Sequence, residues 1–157
     1  MQYPTKVIML YSIVLAVLLS AAAVHAIETK EEPPLYKRLG GVYSIATVVD
    51  DFIERLLVND TLNANPAINA ARKRVPKAGL KFQITALVCQ VTGGPEKHTG
   101  RTMKESHAHL KITESEWKAM AADFKKTLDK FEVPDREQKE LFAIAETTKS
   151  DIVMSEE

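Results

Sequence analysis

The chain has little of what builds a disulfide-rich or a nucleic-acid-binding protein. Cys89 is its one cysteine, so an intramolecular disulfide is excluded. A domain without disulfides must be held by its packed core or by a bound cofactor. Basic and acidic residues are equal at 21 each, and no basic stripe points to nucleic acid. These counts leave a protein that folds around an ordinary core, with or without a prosthetic group.

A long apolar run is present at the N-terminus, from residue 7 to residue 24. Lys6 is the sole charge before Glu28, and the run ends in Val24-His25-Ala26. The small or aliphatic residues of this ending suit a signal peptidase, so we expect residues 1–26 to be a signal peptide. The run is also near the lower length of a membrane span, about 18 residues. An uncleaved membrane anchor is therefore the alternative.

Cleavage after Ala26 would leave residues 27–157 as one domain in the periplasm or cell envelope. Those 131 residues are enough to enclose a core. Losing Lys6 leaves 20 basic and 21 acidic residues, a net charge of −1.

Apolar residues recur at helical spacing along this domain, and strand signals are weak. The pattern predicts helices over residues 35–39, 42–57, 78–92, 113–131 and from Pro134 through Ile152. Thr113 and Glu116 have the spacing of a capping box at the start of the fourth helix. Residues 59–66 form a polar connection, and Gly93-Gly94-Pro95 end the third helix before about ten irregular residues. The sequence therefore predicts an all-α domain.

Three of the four histidines, His98, His107 and His109, lie within twelve residues. Residues two apart on a regular helix point about 200° apart, so His107 and His109 cannot face one metal together. Their spacing also differs from the i, i+4 pair of a zinc-binding helix. A single inward histidine opposite an apolar helix suits a haem, whose porphyrin supplies the other four ligands. A packed or solvated histidine remains the competing interpretation.

An ordered set of motifs resembles the group I truncated haemoglobins, which are small globins with a two-over-two helical sandwich. The resemblance covers residues 34–153. Its motifs are LYKRLGG (35–41), VVDDFIERLL (48–57), GGPEKHTGRTMKESH (93–107), ITESEW (112–117) and FEVPDRE (131–137). Any one of them is weak, but their order and spacing together are specific.

The resemblance implies a haem b, iron protoporphyrin IX, held noncovalently with His107 as the iron ligand. Met103 would lie against the porphyrin and Trp117 would pack near the same side. His98 stands where the family often has a tyrosine near a haem propionate, and Arg101 could play a similar role. His109 would then face outward.

On the opposite side of the haem, the family usually places a tyrosine and a glutamine that donate hydrogen bonds to bound oxygen. The matching positions here hold Ile53 and Ile84, and Leu80 takes the gate position. The remaining expected haem contacts are Phe52 and Phe82. The pocket would thus lack both usual donors, unless Gln83 or Tyr43 supplies one.

Two features depart from the family pattern or stand apart from it. Residues 63–79 are longer than the usual connection and lack its paired phenylalanines. Within them, Arg72, Lys73 and Arg74 form a basic run that we expect to be a solvated face, with a propionate contact as the alternative. Cys89 lies near the inner stripe of its helix and is expected to be a small core residue.

The function that follows is binding of oxygen or another diatomic gas, nitric oxide or carbon monoxide, at a five-coordinate iron. A haem-dependent redox or electron-transfer protein, including one that detoxifies nitric oxide with an electron-donor reductase, is the alternative. A gas-binding protein is favoured over an enzyme, with nitric oxide dioxygenase and peroxidase-like activity as the enzymatic alternatives. A haem-free helical interaction domain is the third possibility. A c-type cytochrome is excluded, because Cys-x-x-Cys-His needs two cysteines.

N-terminal sequencing of the protein recovered from the cell envelope should return Ile27 as the first residue. The reason is the peptidase-compatible ending of the apolar run and the lack of acidic residues before Glu28. A membrane-bound product that begins at Met1 would identify the run as an anchor instead.

Overall fold

A computed structural model describes residues 32–154, and the predicted signal peptide lies outside these residues. From Pro33 onward the chain forms one compact unit. Its helices are α1 (Leu35–Arg38), α2 (Gly41–Val58), α3 (Asp60–Asn63), α4 (Pro66–Arg74), α5 (Lys77–Val91), α6 (Met103–His107), α7 (Glu114–Lys130), α8 (Asp135–Glu146) and α9 (Lys149–Ile152). Within the described part, pairing outside helices is limited to an isolated parallel bridge between Ile112 and Val153. The predicted all-α class is confirmed.

Helix α2 is the centre of the fold, because it packs against both α5 and α7. Its inner stripe consists of Ile45, Val49 and Ile53, which form a core cluster with Cys89 of α5. A second core cluster joins α1, α7 and α8 through Leu35, Leu128 and Leu141. The apolar positions that predicted these helices are therefore the positions that they bury.

A row of aromatic rings links α2 to the C-terminal helices. The ring of Phe52 lies 5.1 Å from that of Phe124 on α7, and Phe124 lies 5.1 Å from Phe142 on α8. Both pairs are tilted, which is a favourable arrangement of the ring quadrupoles. No helix among residues 32–154 has both the length and the apolar character that crossing a membrane requires.

The start of α7 agrees with the prediction from the sequence, whereas the end of α8 does not. Thr113 accepts a hydrogen bond from the backbone of Glu116, and Glu116 reciprocates, so the predicted capping box is confirmed. The helix predicted from Pro134 through Ile152 is interrupted after Glu146. Thr147 and Thr148 each donate a side-chain hydrogen bond to the carbonyl three residues earlier, at 2.7 Å. Such bonds compete with the helical ladder, so Ile152 lies on the separate α9.

The connection after α2 is more ordered than its polar sequence suggests. The Asn65 side chain caps α4 by accepting hydrogen bonds from the backbone N–H groups of Ala67 and Ile68, and Pro66 occupies the first turn.

Arg72 is not part of a solvated face, which corrects the prediction for that residue. Its guanidinium donates to the Leu56 carbonyl at 2.7 Å and to the Asn63 side chain. Arg72 thereby satisfies the open C-terminus of α2.

Asp51 joins α2 to α7 through charge-assisted hydrogen bonds. Its carboxylate accepts from Thr127 at 3.0 Å, from Arg55 at 2.7 Å and from Lys130. Burial disfavours the charged carboxylate, but the bonds from Lys130, Arg55 and Thr127 outweigh burial and lower the pKa of Asp51 from 3.8 to about 2. The Thr127 side chain is fully buried, so it depends on this acceptor.

We expect Asp51→Ala to lower the free energy of unfolding by about 1–3 kcal/mol at pH 7, because the Thr127 hydroxyl loses its acceptor. A carboxyl whose pKa is lower in the folded state stabilises the fold above its unfolded value of 3.8. That stabilisation is lost as the pH falls towards 2, so the difference between wild type and variant should shrink over this range. Urea titrations at pH 7 and at lower pH measure it.

Asp50→Ala is the matched control for this experiment. The Asp50 side chain is 61% exposed and pairs with Lys81 at the surface. Such a pair contributes about 0–1 kcal/mol. Equal losses in the two variants at every pH would show that the buried contact with Thr127 carries no special weight.

Candidate functional site

The loop that leads to the candidate site begins at two glycines, and neighbouring residues leave little room for a side chain at either one. Gly93 lies two residues past the end of α5 and has a φ of +90°, and a Cβ there would lie 3.1 Å from Pro34. At Gly94 a Cβ would lie 2.5 Å from the ring of Tyr36. The same ring carries the hydroxyl that donates to Glu96 at 3.0 Å. Close packing of α1 on this turn therefore explains the Gly-Gly pair.

His98 ties the loop to α5. Its Nδ1 lies 3.2 Å from the carbonyl oxygen of Gln83, and its Nε2 lies 3.1 Å from that of Arg101. A neutral imidazole can donate to one of these carbonyls, and an imidazolium can donate to both. The predicted contact of His98 with a propionate would require one ring nitrogen to leave its carbonyl. The Arg101 side chain is exposed. Both propionate contacts stay predictions.

The short helix α6 positions the candidate ligand. Thr102 caps it through a reciprocal bond with Glu105, a capping box that the sequence Thr-Met-Lys-Glu could have revealed. Met103 opens the helix and is half-buried, and His107 is its last residue. The cap fixes where α6 begins and thus which side chain stands one turn later.

His107 has the tautomer and the surroundings of a metal-binding imidazole. The ring is half-buried, and Nδ1 lies 2.8 Å from the Met103 carbonyl oxygen, to which it must donate. In the neutral ring this leaves the Nε2 lone pair free to bind a metal. Burial lowers the pKa of His107, and the nearby His109 lowers it further, although the bond to Met103 opposes both. These properties fit a haem iron that takes one protein ligand.

His109 lies beyond the end of α6 and has a different environment. Its side chain is exposed and lines an open groove of about 560 Å³. The groove runs between the α3–α4 connection and the start of α7. Helix α6 ends at His107, so His109 does not continue the regular helix on which the two side chains are expected to point apart. The difference in burial between the two rings nevertheless has the predicted sense.

The expected distal residues lie along the contact between α2 and α5. Ile53 is 1% exposed and belongs to the α2–α5 core, and the half-buried Leu80 and Ile84 pack against the same cluster. None of these side chains can donate a hydrogen bond. Phe52 is half-buried and contacts Phe124 on the side of α2 that faces α7.

Phe82 does not share the face of Leu80 and Ile84, which corrects its expected place against the haem edge. Residues two apart on α5 point about 200° apart, and the Phe82 side chain is 66% exposed. Tyr43 is 87% exposed and is therefore no donor to an interior pocket.

Gln83 has a half-buried side chain whose Oε1 is buried without a hydrogen-bond partner. A Cβ at Gly100 would lie 2.9 Å from this oxygen, so Gln83 reaches towards the loop.

Trp117 is buried in the first turns of α7, with 6% of its surface exposed. Lys149 of α9 places its ammonium 5.9 Å from the centre of the indole. Sequence periodicity indicated the burial of Trp117 but gave no sign of this cation. Contacts between α9 and α6 bring the C-terminal segment to the same region as His107.

Two sequence comparisons relate this chain to known proteins. The family model for bacterial-like globins matches residues 34–154. The group 1 truncated hemoglobin GlbN of Synechocystis sp. is 30% identical over 116 residues, covering 71% of this chain and 88% of the relative.

Two solved structures show the same fold. The truncated hemoglobin of Tetrahymena pyriformis in its Fe(III) form gives a TM-score of 0.64 at 21% identity, covering 78% of this chain and 100% of that one. The 2/2 hemoglobin of Synechococcus sp., in the cyanomet state with covalently attached heme, gives 0.67 at 21% identity, covering 77% and 98%. The chain thus has the two-over-two fold of these proteins.

Proposed function

Because this chain belongs to the bacterial-like globin family and, within it, to the group I truncated haemoglobins, we propose that it is an exported haem protein that binds a diatomic gas reversibly. Haem b, held noncovalently, would supply the iron at which the gas binds. Oxygen, nitric oxide and carbon monoxide are the candidate ligands. The half-buried His107, with Nδ1 bound to the Met103 carbonyl, is the observation that carries the proposal.

His107 contributes by holding the iron with a fixed imidazole. The hydrogen bond to Met103 sets both the tautomer and the ring orientation, as hydrogen bonds from the second nitrogen do at other metal sites. The lowered pKa keeps the ring neutral near pH 7, so a proton does not compete with the metal. The carbonyl group that accepts the hydrogen bond from His107 belongs to Met103, the first residue of the same helix.

The distal side contributes apolar packing without a hydrogen-bond donor. Ile53, Leu80 and Ile84 exclude water from the contact between α2 and α5. An oxygen ligand gains partial negative charge on its outer atom and depends on a donor more than carbon monoxide does. A pocket of this composition should therefore hold oxygen weakly and leave the iron five-coordinate.

His107→Ala should abolish haem retention, whereas His109→Ala should keep a haem spectrum close to that of wild type. The reason is that the His107 ring is half-buried with its Nε2 lone pair free, while His109 is exposed beyond α6. The visible spectrum and the haem-to-protein ratio of the purified variants measure this.

His107→Gly provides a second arm, since added imidazole can enter the space left by the ring. Recovery of the haem spectrum with imidazole would separate loss of a ligand from loss of the fold. Equal haem content in His107→Ala and His109→Ala would remove His107 from the site, and the reverse pattern would transfer its role to His109.

Installing a donor on the distal side should slow oxygen release. Ile53→Tyr would place the hydroxyl where the family has it, but Ile53 is fully buried in a packed core and the larger ring would strain it. Ile84 is half-buried, so Ile84→Gln is the better-tolerated change. A hydrogen bond to a charged partner is worth about 1.5–3 kcal/mol, which predicts oxygen dissociation about ten- to a hundred-fold slower.

Stopped-flow oxygen dissociation from wild type, Ile84→Gln and the donor-free control Ile84→Leu tests this. Carbon monoxide release should change much less in all three. Slow oxygen release from wild type would reveal a donor already in the pocket, with Gln83 the first to examine, and would refute the donor-free distal site.

A further inference from the structure

The connection between α4 and α5 and the first turns of α5 expose several basic and apolar side chains. Residues 73–79 are all exposed, and one turn further along α5 the Phe82 side chain is 66% exposed. Val75 is 47% exposed and is followed by the exposed Pro76. We name the surface formed by Lys73, Arg74, Val75, Pro76 and Phe82 the basic–apolar corner. Nothing in the proposed gas-binding function uses it.

Basic residues are concentrated in this part of the chain, and Glu54 of α2 neutralises only some of them. Residues 61–95 contain no aspartate or glutamate, in a chain whose total charges balance, and they contain five basic residues. Three of these cations have partners: Arg72 binds the end of α2, and Lys77 and Lys81 pair with Glu54. Within residues 32–154, Lys73 and Arg74 have neither an ion pair nor a side-chain hydrogen bond.

The apolar part of the corner points away from the core. Leu80 and Ile84 direct the inner side of α5 towards α2, and Phe82 lies about 200° from each of them. Gly79 lies beside Phe82 on this outer side, and a Cβ there would meet no atom within 4 Å. Packing inside the domain therefore explains neither the exposed phenylalanine nor the glycine beside it.

We propose that the basic–apolar corner docks reversibly on an anionic phospholipid bilayer. Phe82 and Val75 would enter the boundary between headgroups and acyl chains, and Lys73 and Arg74 would contact lipid phosphates. Exposed aromatic and aliphatic side chains beside unpaired cations are the kinds of side chain through which proteins contact an anionic membrane interface. An acidic protein partner would satisfy the two cations but would leave the exposed apolar side chains without a role. The proposal does not depend on gas binding.

Co-sedimentation with vesicles tests the proposal. Residues 27–157 with haem bound are mixed with vesicles of phosphatidylglycerol and phosphatidylcholine, and with vesicles of phosphatidylcholine alone. The protein should sediment with the anionic vesicles and stay in solution with the neutral ones. Lys73→Gln and Arg74→Gln should each weaken binding about five-fold, from the usual contribution of one cation near an anionic surface. Raising the salt concentration should release the protein.

Variants of exposed residues elsewhere are the matched controls. Phe82→Ser should weaken vesicle binding by about ten-fold or more, and Tyr43→Ser, which removes an 87% exposed ring from α2, should not. Lys97→Gln and Lys104→Gln remove exposed lysines outside the corner and should bind as wild type does. All these variants should keep the wild-type haem spectrum, so a failure here is distinguishable from a failure of the gas-binding proposal.

Four results would overturn the inference. The first is wild-type protein that ignores anionic vesicles or binds neutral ones equally. The second is binding that the corner variants and the control variants reduce alike. The third is dependence on Lys73 and Arg74 for binding to immobilised polyglutamate but not to vesicles, which would assign the corner to an acidic protein. Loss of haem in Phe82→Ser would return Phe82 to the haem pocket and also exclude this role.

Discussion

The contact between α2 and α5 is the constraint on which the rest of the domain depends. Ile53 and Cys89 are almost completely buried where the two helices meet, and Lys81 closes the outer side with Asp50 and Glu54. The direction of α5 then fixes where Gly93, just past its end, lies, and so where the loop and α6 begin. A change in this packing would move the proposed distal residues and the loop before His107 together.

The sequence predicted the long helices because each buries a regular apolar stripe, and the capping box at Thr113 because its two side chains bond each other. It did not predict α4, which has no buried residue and is organised by the Asn65 cap and by Arg72. Three adjacent basic residues look alike in a sequence, yet successive helical positions point in different directions. One of them therefore reaches the end of α2 while its neighbours remain in solvent.

The candidate site also has features that the sequence predicted and features that it did not. The family resemblance distinguished the half-buried His107 from the exposed His109, whereas the helix that the spacing argument assumed ends at His107. The two carbonyl partners of His98 and the direction of Gln83 depend on how the loop folds back on α5, which no local pattern encodes. Phe82 was misplaced because an alignment without a certain register in residues 63–79 cannot decide between positions two apart.

Cys89 gives the fold a chemical resistance. Its side chain has no exposed surface, and burial raises the pKa of the thiol to about 11, with Glu96 contributing in the same direction. At pH 7 the reactive thiolate would be about one ten-thousandth of the population even if an oxidant could reach it. The native protein should therefore neither form mixed disulfides nor cross-link to a second copy. Covalent damage at this residue would record that a molecule had unfolded.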